Sequence, residues 1–305
     1  MGIVSFLMYH VNKYLPSKRF TYRYTHFGMQ KHLTVNQTPE EATWPGGALW
    51  DIGVLLAEVL VMVNKPPPTS SANGKKDKYV SRLRTPGIWP TSWKECSILE
   101  LGCGVGLTGL VGAQLGAKLT LLTDLDVVIE KVAQPNLEIN KKEFGKSQNI
   151  VAIPLCWGNG DDEAACRHIL DTLATKSSKS GPKRKVRKKG KGQKQGILST
   201  QESPKSTDPS IILIGDVAYQ HKPGAPSHFD VLMSTLLKFC TTRDTVVMFG
   251  TRMRMPASAD LLDMFRVFFD EMIDPVEAHE LDDRFNSTFL GRSSMITIHI
   301  FKRKI

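Results

Sequence analysis

A glycine-rich motif is the feature of this sequence whose residue types and spacing could bind a ligand. From Glu100 to Gly106 it reads Glu-Leu-Gly-Cys-Gly-Val-Gly. An apolar run before it predicts a strand, and an apolar run after it predicts a helix. Because glycine has no Cβ, backbone N–H groups at such a turn can approach a ligand closely. The motif therefore predicts a nucleotide-cofactor site that includes Gly102, Cys103 and Gly104.

The same glycines are compatible with two kinds of cofactor. Gly104 to Gly109 also reads Gly-x-Gly-x-x-Gly, and Asp124 follows about twenty residues later, as dinucleotide sites require. Glu100 argues against a dinucleotide, because its carboxylate would repel a pyrophosphate but attract a sulfonium and an α-ammonium group. S-adenosylmethionine carries both of these cations. We therefore expect S-adenosylmethionine, with Asp124 accepting hydrogen bonds from its ribose hydroxyls.

The elements around the motif alternate between strand and helix. Helices separate five predicted strands, which are residues 97–101, 119–123, 150–155, 211–215 and 245–250. This alternation predicts an α/β fold with a parallel sheet and helices on both faces. Two more strands, at 276–281 and 295–301, follow each other without a helix and predict an antiparallel C-terminal pair. The expected architecture is a Rossmann-like, seven-stranded methyltransferase sheet, which again favours S-adenosylmethionine over a dinucleotide.

The chain divides into an extension, a domain and two inserts. Residues 1–45 form an N-terminal extension whose alternating aromatic residues predict a hairpin. Residues 46–305 form the methyltransferase domain, which begins with a helix broadly apolar over 48–63. Residues 64–90 are rich in Ser, Lys, Gly and Pro and predict a solvent loop. Residues 176–209 are a basic, low-complexity insert that we expect to be disordered.

The formal net charge of +10 is concentrated in that second insert. Ten basic and no acidic residues lie between Lys176 and Lys194, and the rest of the chain has 30 residues of each sign. This distribution argues against a broad nucleic-acid-binding surface. The run from Pro182 to Lys189 is typical of a nuclear-localisation signal, although such runs also bind RNA or only solvate a loop. We expect the insert to bind an import receptor or RNA, and the protein to be cytoplasmic, nuclear or both.

Other composition features exclude several classes. The five cysteines form no C-x-x-C pair and are odd in number, so they predict neither a disulfide framework nor a metal site. No apolar run has the length of a membrane span. No heptad pattern stands out, so we expect a monomer.

The sequence from Gly46 to the C-terminus resembles methyltransferase family 16, the seven-strand protein-lysine methyltransferases. Four motifs carry the resemblance: Gly46-Gly-Ala-Leu-Trp-Asp51; Glu100 to Gly109 followed by Thr123-Asp124 and the paired Asn136 and Asn140; Cys156-Trp157-Gly158; and Gly215-Asp216-Val217-Ala218-Tyr219. The resemblance implies that Trp50 lies against the cofactor and that Trp157 stacks beside the adenine. It also implies that the Asp-x-x-Tyr element lies where the methyl acceptor enters. Arg252 and Arg254 resemble a basic family position, for which substrate contact and surface solvation are both open.

Methyl transfer sets the requirements for the acceptor side of the site. The reaction is an in-line displacement, so the enzyme needs a deprotonated amine held in line in a dry site. A lysine with a pKa near ~10.4 is protonated at neutral pH, so the site must desolvate it or take its proton. We assign Asp216 to the cofactor site and to orienting the acceptor amine or nearby backbone. We assign Tyr219 to lining the lysine channel; a loop cap and a packed aromatic are the alternatives for the two residues. His228, an isolated loop histidine, is assigned no role.

The expected function is therefore S-adenosylmethionine-dependent methylation of lysine in a non-histone protein. Other acceptors, namely protein histidine or arginine and RNA, remain alternatives. RNA base methyltransferases often have Asn/Asp-Pro-Pro-Tyr/Phe after the fourth strand, and Asp216-Val217-Ala218-Tyr219 differs from that motif. A catalytically silent nuclear interaction module is a further alternative, which the intact Glu100, Asp124 and Asp216 disfavour.

Overall fold

A computed structural model describes residues 18–40, 45–64, 80–145, 148–178, 207–217, 228–252, 256–281 and 296–305. Its strands are β1 (Arg19–His26), β2 (Met29–Asn36), β3 (Ser97–Leu101), β4 (Leu119–Asp124), β5 (Asn149–Pro154), β6 (Ile211–Gly215), β7 (Val246–Arg252), β8 (Phe269–Glu271), β9 (Val276–Glu277) and β10 (Ile296–Arg303). Its α-helices are α1 (Asp51–Asn64), α2 (Leu107–Gln114), α3 (Asp126–Val128), α4 (Gln134–Asn140), α5 (Gly160–Ser178), α6 (Phe229–Phe239), α7 (Pro256–Phe268) and α8 (Ala278–Leu281). A π-helical segment, Ile129–Ala133, joins α3 to α4.

The large sheet has the strand order β5-β4-β3-β6-β7-β10-β8, and β9 also pairs with β10. Strands β3 to β7 are parallel to one another, whereas β10 runs antiparallel to β7. The inner strands are continuous apolar runs, as expected for strands covered by helices on both faces. The predicted Rossmann-like α/β fold is confirmed. The order of the strands reverses between β3 and β6, which is where ligands bind in such sheets.

The C-terminal part of the sheet differs from the prediction. The prediction of a strand at 276–281 holds only for its first two residues and is wrong for the rest, because Ala278–Leu281 is helical. The sheet instead gains β8, which begins at Phe269 directly after α7 and which the sequence did not predict. Phe269 packs on Phe265 and Phe301 with ring centroids 5.7 and 6.4 Å apart. Its four-residue spacing from Phe265 fits a helix, so periodicity along the chain could not reveal its pairing with β10.

Helix α1 lies close against β6 and β7. It confirms the helix predicted at 48–63, and most of its residues are buried. A Cβ on Gly250 would lie 2.5 Å from Ile52 Cγ2, and one on Gly215 would lie 3.1 Å from Leu56 Cδ1. Glycine at the ends of β6 and β7 therefore lets the helix approach the sheet. This contact brings the start of α1, with Trp50, to the carboxyl ends of the strands.

The hairpin of β1 and β2 confirms the hairpin predicted in the N-terminal segment. Two buried asparagines of α4 attach it to the domain. Asn140 accepts from Thr34 N (2.9 Å) and donates to Thr34 O (2.7 Å). Asn136 accepts from Asn36 N (2.8 Å) and donates to Asn36 O (3.1 Å). It also donates to Val105 O (3.0 Å), so the same side chain holds the hairpin and the glycine-rich loop.

We expect Asn136→Ala to lower the free energy of unfolding by about 3 kcal/mol, because it leaves several buried backbone groups without partners. Urea denaturation measures this change. Asn149→Ala is the matched control, since Asn149 is exposed; we expect a change within about 0.5 kcal/mol. Equal effects of the two substitutions would contradict the attachment role of Asn136.

Parts of both predicted inserts are packed against the domain. The solvent-loop prediction is wrong for residues 80–90, since Leu83 and Ile88 are 0% and 3% exposed; residues 65–79 lie outside the described ranges. The basic insert is shorter at both ends than the predicted range 176–209. Helix α5 continues to Ser178, and Asp208 is anchored by Arg167 (3.1 Å) and Thr241 Oγ1 (2.7 Å). Residues 179–206 lie outside the described ranges. Among the described residues, no helix has both the length and the apolar character needed to cross a membrane.

Candidate active site

One cavity of about 330 Å³ opens at the carboxyl ends of β3 to β6. Its volume falls in the range of roughly 300–1,000 Å³ that small-molecule sites occupy. The structure brings all the predicted cofactor-site residues into its wall: Trp50, Glu100, Gly102, Cys103, Gly104, Asp124, Trp157 and Asp216. Residues far apart in the sequence therefore meet at the reversal of strand order.

The glycine-rich loop forms the floor of this cavity. Gly102, Gly104 and Gly106 have φ values of +71°, +51° and +79°, a left-handed conformation that favours glycine. A Cβ on Gly102 would lie 3.3 Å from Val217 Cγ1 and 3.5 Å from Trp157 Cζ2. Any side chain there would occupy space between the cavity walls. The three glycines thus keep this part of the cavity open.

Asp124 supports the loop as well as lining the cavity. Its Oδ2 accepts a hydrogen bond from Gly104 N (2.8 Å), and its Oδ1 accepts one from Leu125 N (2.8 Å). Burial raises the pKa of this carboxyl above its usual value. Each carboxylate oxygen can accept a further hydrogen bond, so the geometry is compatible with ribose hydroxyls. Sequence reasoning missed the contact with Gly104, since it depends on how the loop folds back on β4.

Glu100 is buried beneath the loop, with 6% of its surface exposed. Its Oε2 accepts a hydrogen bond from Gly109 N (3.0 Å), at the start of α2. Burial raises the pKa of this carboxyl to about 8, against the lowering effect of the Gly109 hydrogen bond. At neutral pH this carboxyl is therefore not the permanent negative charge that the sequence predicted. Its burial makes that charge depend on a cation beside it.

The start of α1 forms the wall opposite the strand ends. Trp50 lines the cavity, and its indole Nε1 donates to Pro45 O (2.9 Å). Next to it, Asp51 Oδ2 accepts from Arg252 Nη2 (2.9 Å), and both side chains are largely buried. Arg252 is thus paired inside the protein rather than solvated. Arg254 lies outside the described residues.

Asp216 has an unusual backbone conformation at the end of β6. Its φ is +52°, its backbone N donates to Gly250 O (2.9 Å), and only 8% of its surface is exposed. Left-handed residues other than glycine are uncommon, and aspartate tolerates this conformation better than most. Strained residues of this kind cluster at functional sites. Tyr219, predicted to line the lysine channel, lies outside the described residues.

A comparison with known sequences finds a family that part of the chain resembles. Residues 29–174 match the model of the family described as lysine methyltransferase. These residues, just under half of the chain, are similar to that family. For residues 46–174 the match confirms the resemblance that the motifs indicate, whereas the motif from Gly215 to Tyr219 lies outside the matched range. The predicted cofactor, S-adenosylmethionine, is confirmed with it.

More distant similarities extend to other methyltransferases. A segment of 46 residues is 41% identical to ribosomal protein L11 methyltransferase of Acetivibrio thermocellus, and it covers 15% of this chain and 15% of that protein. A Streptococcus mutans structure described as an S-adenosylmethionine-dependent methyltransferase has a TM-score of 0.47 at 11% identity, covering 92% of this chain and 55% of that one. The 16S rRNA N2 G1207 methyltransferase of T. thermophilus has a TM-score of 0.41 at 13% identity, covering 95% and 52%. The chain thus spans only part of these relatives.

The methyltransferase domain offers three features that fit S-adenosylmethionine. The left-handed glycines leave room for close backbone approach, and Asp124 has acceptor capacity at the end of β4. Glu100 can provide a negative charge for the sulfonium or the α-ammonium group. The cofactor supplies an electrophilic methyl group when it is bound. Among the described residues, no cluster of three or more His, Cys, Asp or Glu side chains could hold a metal ion.

The cavity wall at the end of β5 contains two residues beyond those predicted. His228 and Val231 line it together with Trp157. The rings of Trp157 and His228 have centroids 5.9 Å apart and are inclined by 36°. Sequence reasoning assigned His228 no role because it lies in a loop. Its position immediately before α6, three residues before Val231, is the signal that could have found it.

Cysteine modification offers a direct test of ligand binding in this domain. All five cysteines are free, and Cys156, which lines the cavity, is the exposed one. We expect iodoacetamide to modify Cys156 first. S-adenosylhomocysteine at ten times its Kd should slow this reaction about tenfold, since about one site in eleven is then empty. Peptide mass spectrometry measures the rate, and Cys156→Ser is the control; an unchanged rate would contradict binding at this cavity.

Proposed function

We propose that this protein transfers a methyl group from S-adenosylmethionine to the ε-amino group of a lysine in a non-histone protein. The observation that carries this proposal is Asp216, a buried carboxyl residue held in a left-handed conformation in the wall of the cavity that the glycine-rich loop lines. The family description supports lysine as the acceptor.

The surroundings of Asp216 suit an amine acceptor. Val217 and Leu155, both almost fully buried, line the same cavity. Apolar walls disfavour the charged form of a lysine and so help to lower its pKa from about 10.4. The carboxylate of Asp216 can accept a hydrogen bond from the amine and direct its lone pair away from itself. A desolvated, oriented amine is what the displacement requires.

The charge distribution supports a non-histone substrate. Histone tails are strongly basic, and this chain carries a formal net charge of +10. Like charges disfavour association. An acidic or neutral protein surface is therefore a better partner for this chain.

Labelling of a cell extract tests the acceptor. The purified protein is incubated with the extract and S-adenosylmethionine carrying a radioactive methyl group, and the products are treated with protease or with nuclease. We expect label that protease releases and that amino-acid analysis identifies as methyl-lysine. Asp216→Asn serves as the inactive control. Label on histidine, arginine or RNA would contradict the lysine proposal, and cofactor binding without any labelling would favour a silent interaction module.

We further propose that the basic insert directs part of the protein to the nucleus. The described residues that flank the insert, at the end of α5 and just before β6, lie at the amino ends of the parallel strands, whereas the cavity opens at their carboxyl ends. Replacing the six basic residues between Lys183 and Lys189 with glutamine should lower the nuclear fraction of a fluorescent fusion severalfold. The affinity for S-adenosylhomocysteine should not change. As a control, the exposed Lys141 and Lys142 are replaced with glutamine, and the nuclear fraction should stay at the wild-type value. An unchanged nuclear fraction in the insert variant would contradict the proposal.

A further inference from the structure

The turn at the end of β5 is held in place by side chains that do not line the cavity. Trp157 and Gly158 form this turn, and Gly158 has a left-handed φ of +81°. The backbone N–H of Gly158 donates to Thr235 Oγ1 (2.9 Å). At the other end of the turn, Cys156 N donates to Asp162 Oδ2 (2.9 Å). The backbone on both sides of Trp157 is therefore fixed by side-chain acceptors.

Thr235 is itself fixed by a buried carboxylate. Its hydroxyl donates to Glu163 Oε1 (2.7 Å), and Lys238 donates to Glu163 Oε2. Thr235 is fully buried and Glu163 is 6% exposed. A threonine hydroxyl has one proton, so donation to Glu163 directs its lone pairs towards Gly158 N–H. Linked hydrogen bonds of this kind polarise and strengthen one another.

One face of α6 and the residue before it contacts the turn along its whole length. His228, Val231 and Thr235 are three, four and seven residues apart, so they share one side of the helix. The His228 ring lies beside Trp157, and Val231 Cγ1 would be 3.4 Å from a Cβ on Gly158. Thr235 supplies the hydrogen bond to the same glycine. The arrangement fixes the indole of Trp157 relative to the glycine-rich loop.

We infer that Thr235, backed by Glu163, is a positioning residue that sets the orientation of Trp157 and thereby the affinity for the cofactor. This inference rests on the proposed function, since it requires a ligand in the cavity. A planar ring of the cofactor can stack on the indole face only while the turn keeps its geometry. Thr235 acts through Gly158 and Trp157, because it does not itself line the cavity.

Three single variants and one double variant test the inference by calorimetry with S-adenosylhomocysteine. Thr235→Val removes the hydroxyl at nearly constant volume, and we expect the Kd to rise about tenfold. Thr235→Ser keeps the hydroxyl and should restore binding to within about twofold of wild type. The double variant Thr235→Val/Trp157→Ala should have nearly the same Kd as Trp157→Ala alone, because the indole that Thr235 positions is already absent.

Thr245→Val is the matched control for a general loss of stability. Thr245 is also buried, and its hydroxyl donates to Pro209 O (2.7 Å) at the amino ends of the strands. We expect the Thr245→Val variant to keep the wild-type Kd even if its melting temperature falls. Wild-type affinity in Thr235→Val, an equal loss in Thr245→Val, or additive effects with Trp157→Ala would each overturn the inference while the proposed function stands. Failure of the wild type to bind S-adenosylhomocysteine would instead overturn both.

Discussion

Replacing Asp216 with asparagine is expected to lower the rate of methyl transfer by about 100-fold or more, because it removes the charge proposed to orient the acceptor amine. The substitution suits the backbone, since asparagine also tolerates the φ of +52° found here. It also keeps an oxygen acceptor of similar size. The melting temperature and the Kd for S-adenosylhomocysteine should therefore remain close to those of wild type. Single-turnover rates with a labelled substrate measure the effect.

Asp216→Ala separates the chemical role of the side chain from its backbone role. Alanine fits a left-handed conformation less well, so we expect this variant to lose roughly 1–2 kcal/mol of stability as well as activity. Asp216→Gly should keep or increase stability and yet be inactive. An Asp216→Asn enzyme with wild-type rates would show that the carboxylate is not needed. The left-handed residue would then serve only to shape the turn.

Much of the site could be predicted from the sequence because its residues follow strand ends. Glu100, Asp124 and Asp216 each end or follow an apolar run, and parallel strands bring their carboxyl ends to one edge of the sheet. The glycine spacing also predicted that the backbone could approach a ligand closely, and the positive φ values of Gly102 and Gly104 fit that prediction. These relations are local, so a single sequence contains them.

Contacts between distant segments could not be predicted in the same way. Asn136 was noted as part of a motif, but its partners are backbone groups of β2, which carry no side-chain signal. The link from Gly158 through Thr235 to Glu163 joins two helices and a turn, and its threonine looks like any other core residue. Leu83 lies in a segment of loop-like composition and is nevertheless fully buried. Tertiary packing overrides composition where one apolar side chain fills a core.

Raising the pH from 6.5 to 8 is expected to tighten the binding of S-adenosylmethionine roughly tenfold, because binding must ionise Glu100. Glu100 lines the cavity, and in the unliganded protein the pKa of its carboxyl is about 8. Below that pH the carboxyl is largely protonated, so a bound cation lowers its pKa and releases a proton. Binding that releases a proton strengthens as pH rises. The window ends near pH 8, because the α-amino group of the ligand, with a pKa of about 7.7–8.0, is about half deprotonated there.

Calorimetry in two buffers of different ionisation enthalpy measures the proton release directly. Glu100→Gln keeps an acceptor for Gly109 N–H but cannot ionise, so its affinity should not vary over this window. S-adenosylhomocysteine lacks the sulfonium charge and should show a smaller pH effect with the wild-type protein. The same pH dependence in Glu100→Gln as in wild type would assign the proton to another group.

The same carboxyl links pH to the stability of the unliganded protein, with the opposite sign. The folded state holds a proton on Glu100 up to a pH of about 8, whereas the unfolded chain releases it near the usual carboxyl value of 4.5. The free energy of unfolding should therefore fall as pH rises between these values, by at most about 1.4 kcal/mol per pH unit. Glu100→Gln should remove this decline. The buried carboxyl thus destabilises the empty protein at neutral pH, and a bound cation relieves that cost by giving the ionised form a partner.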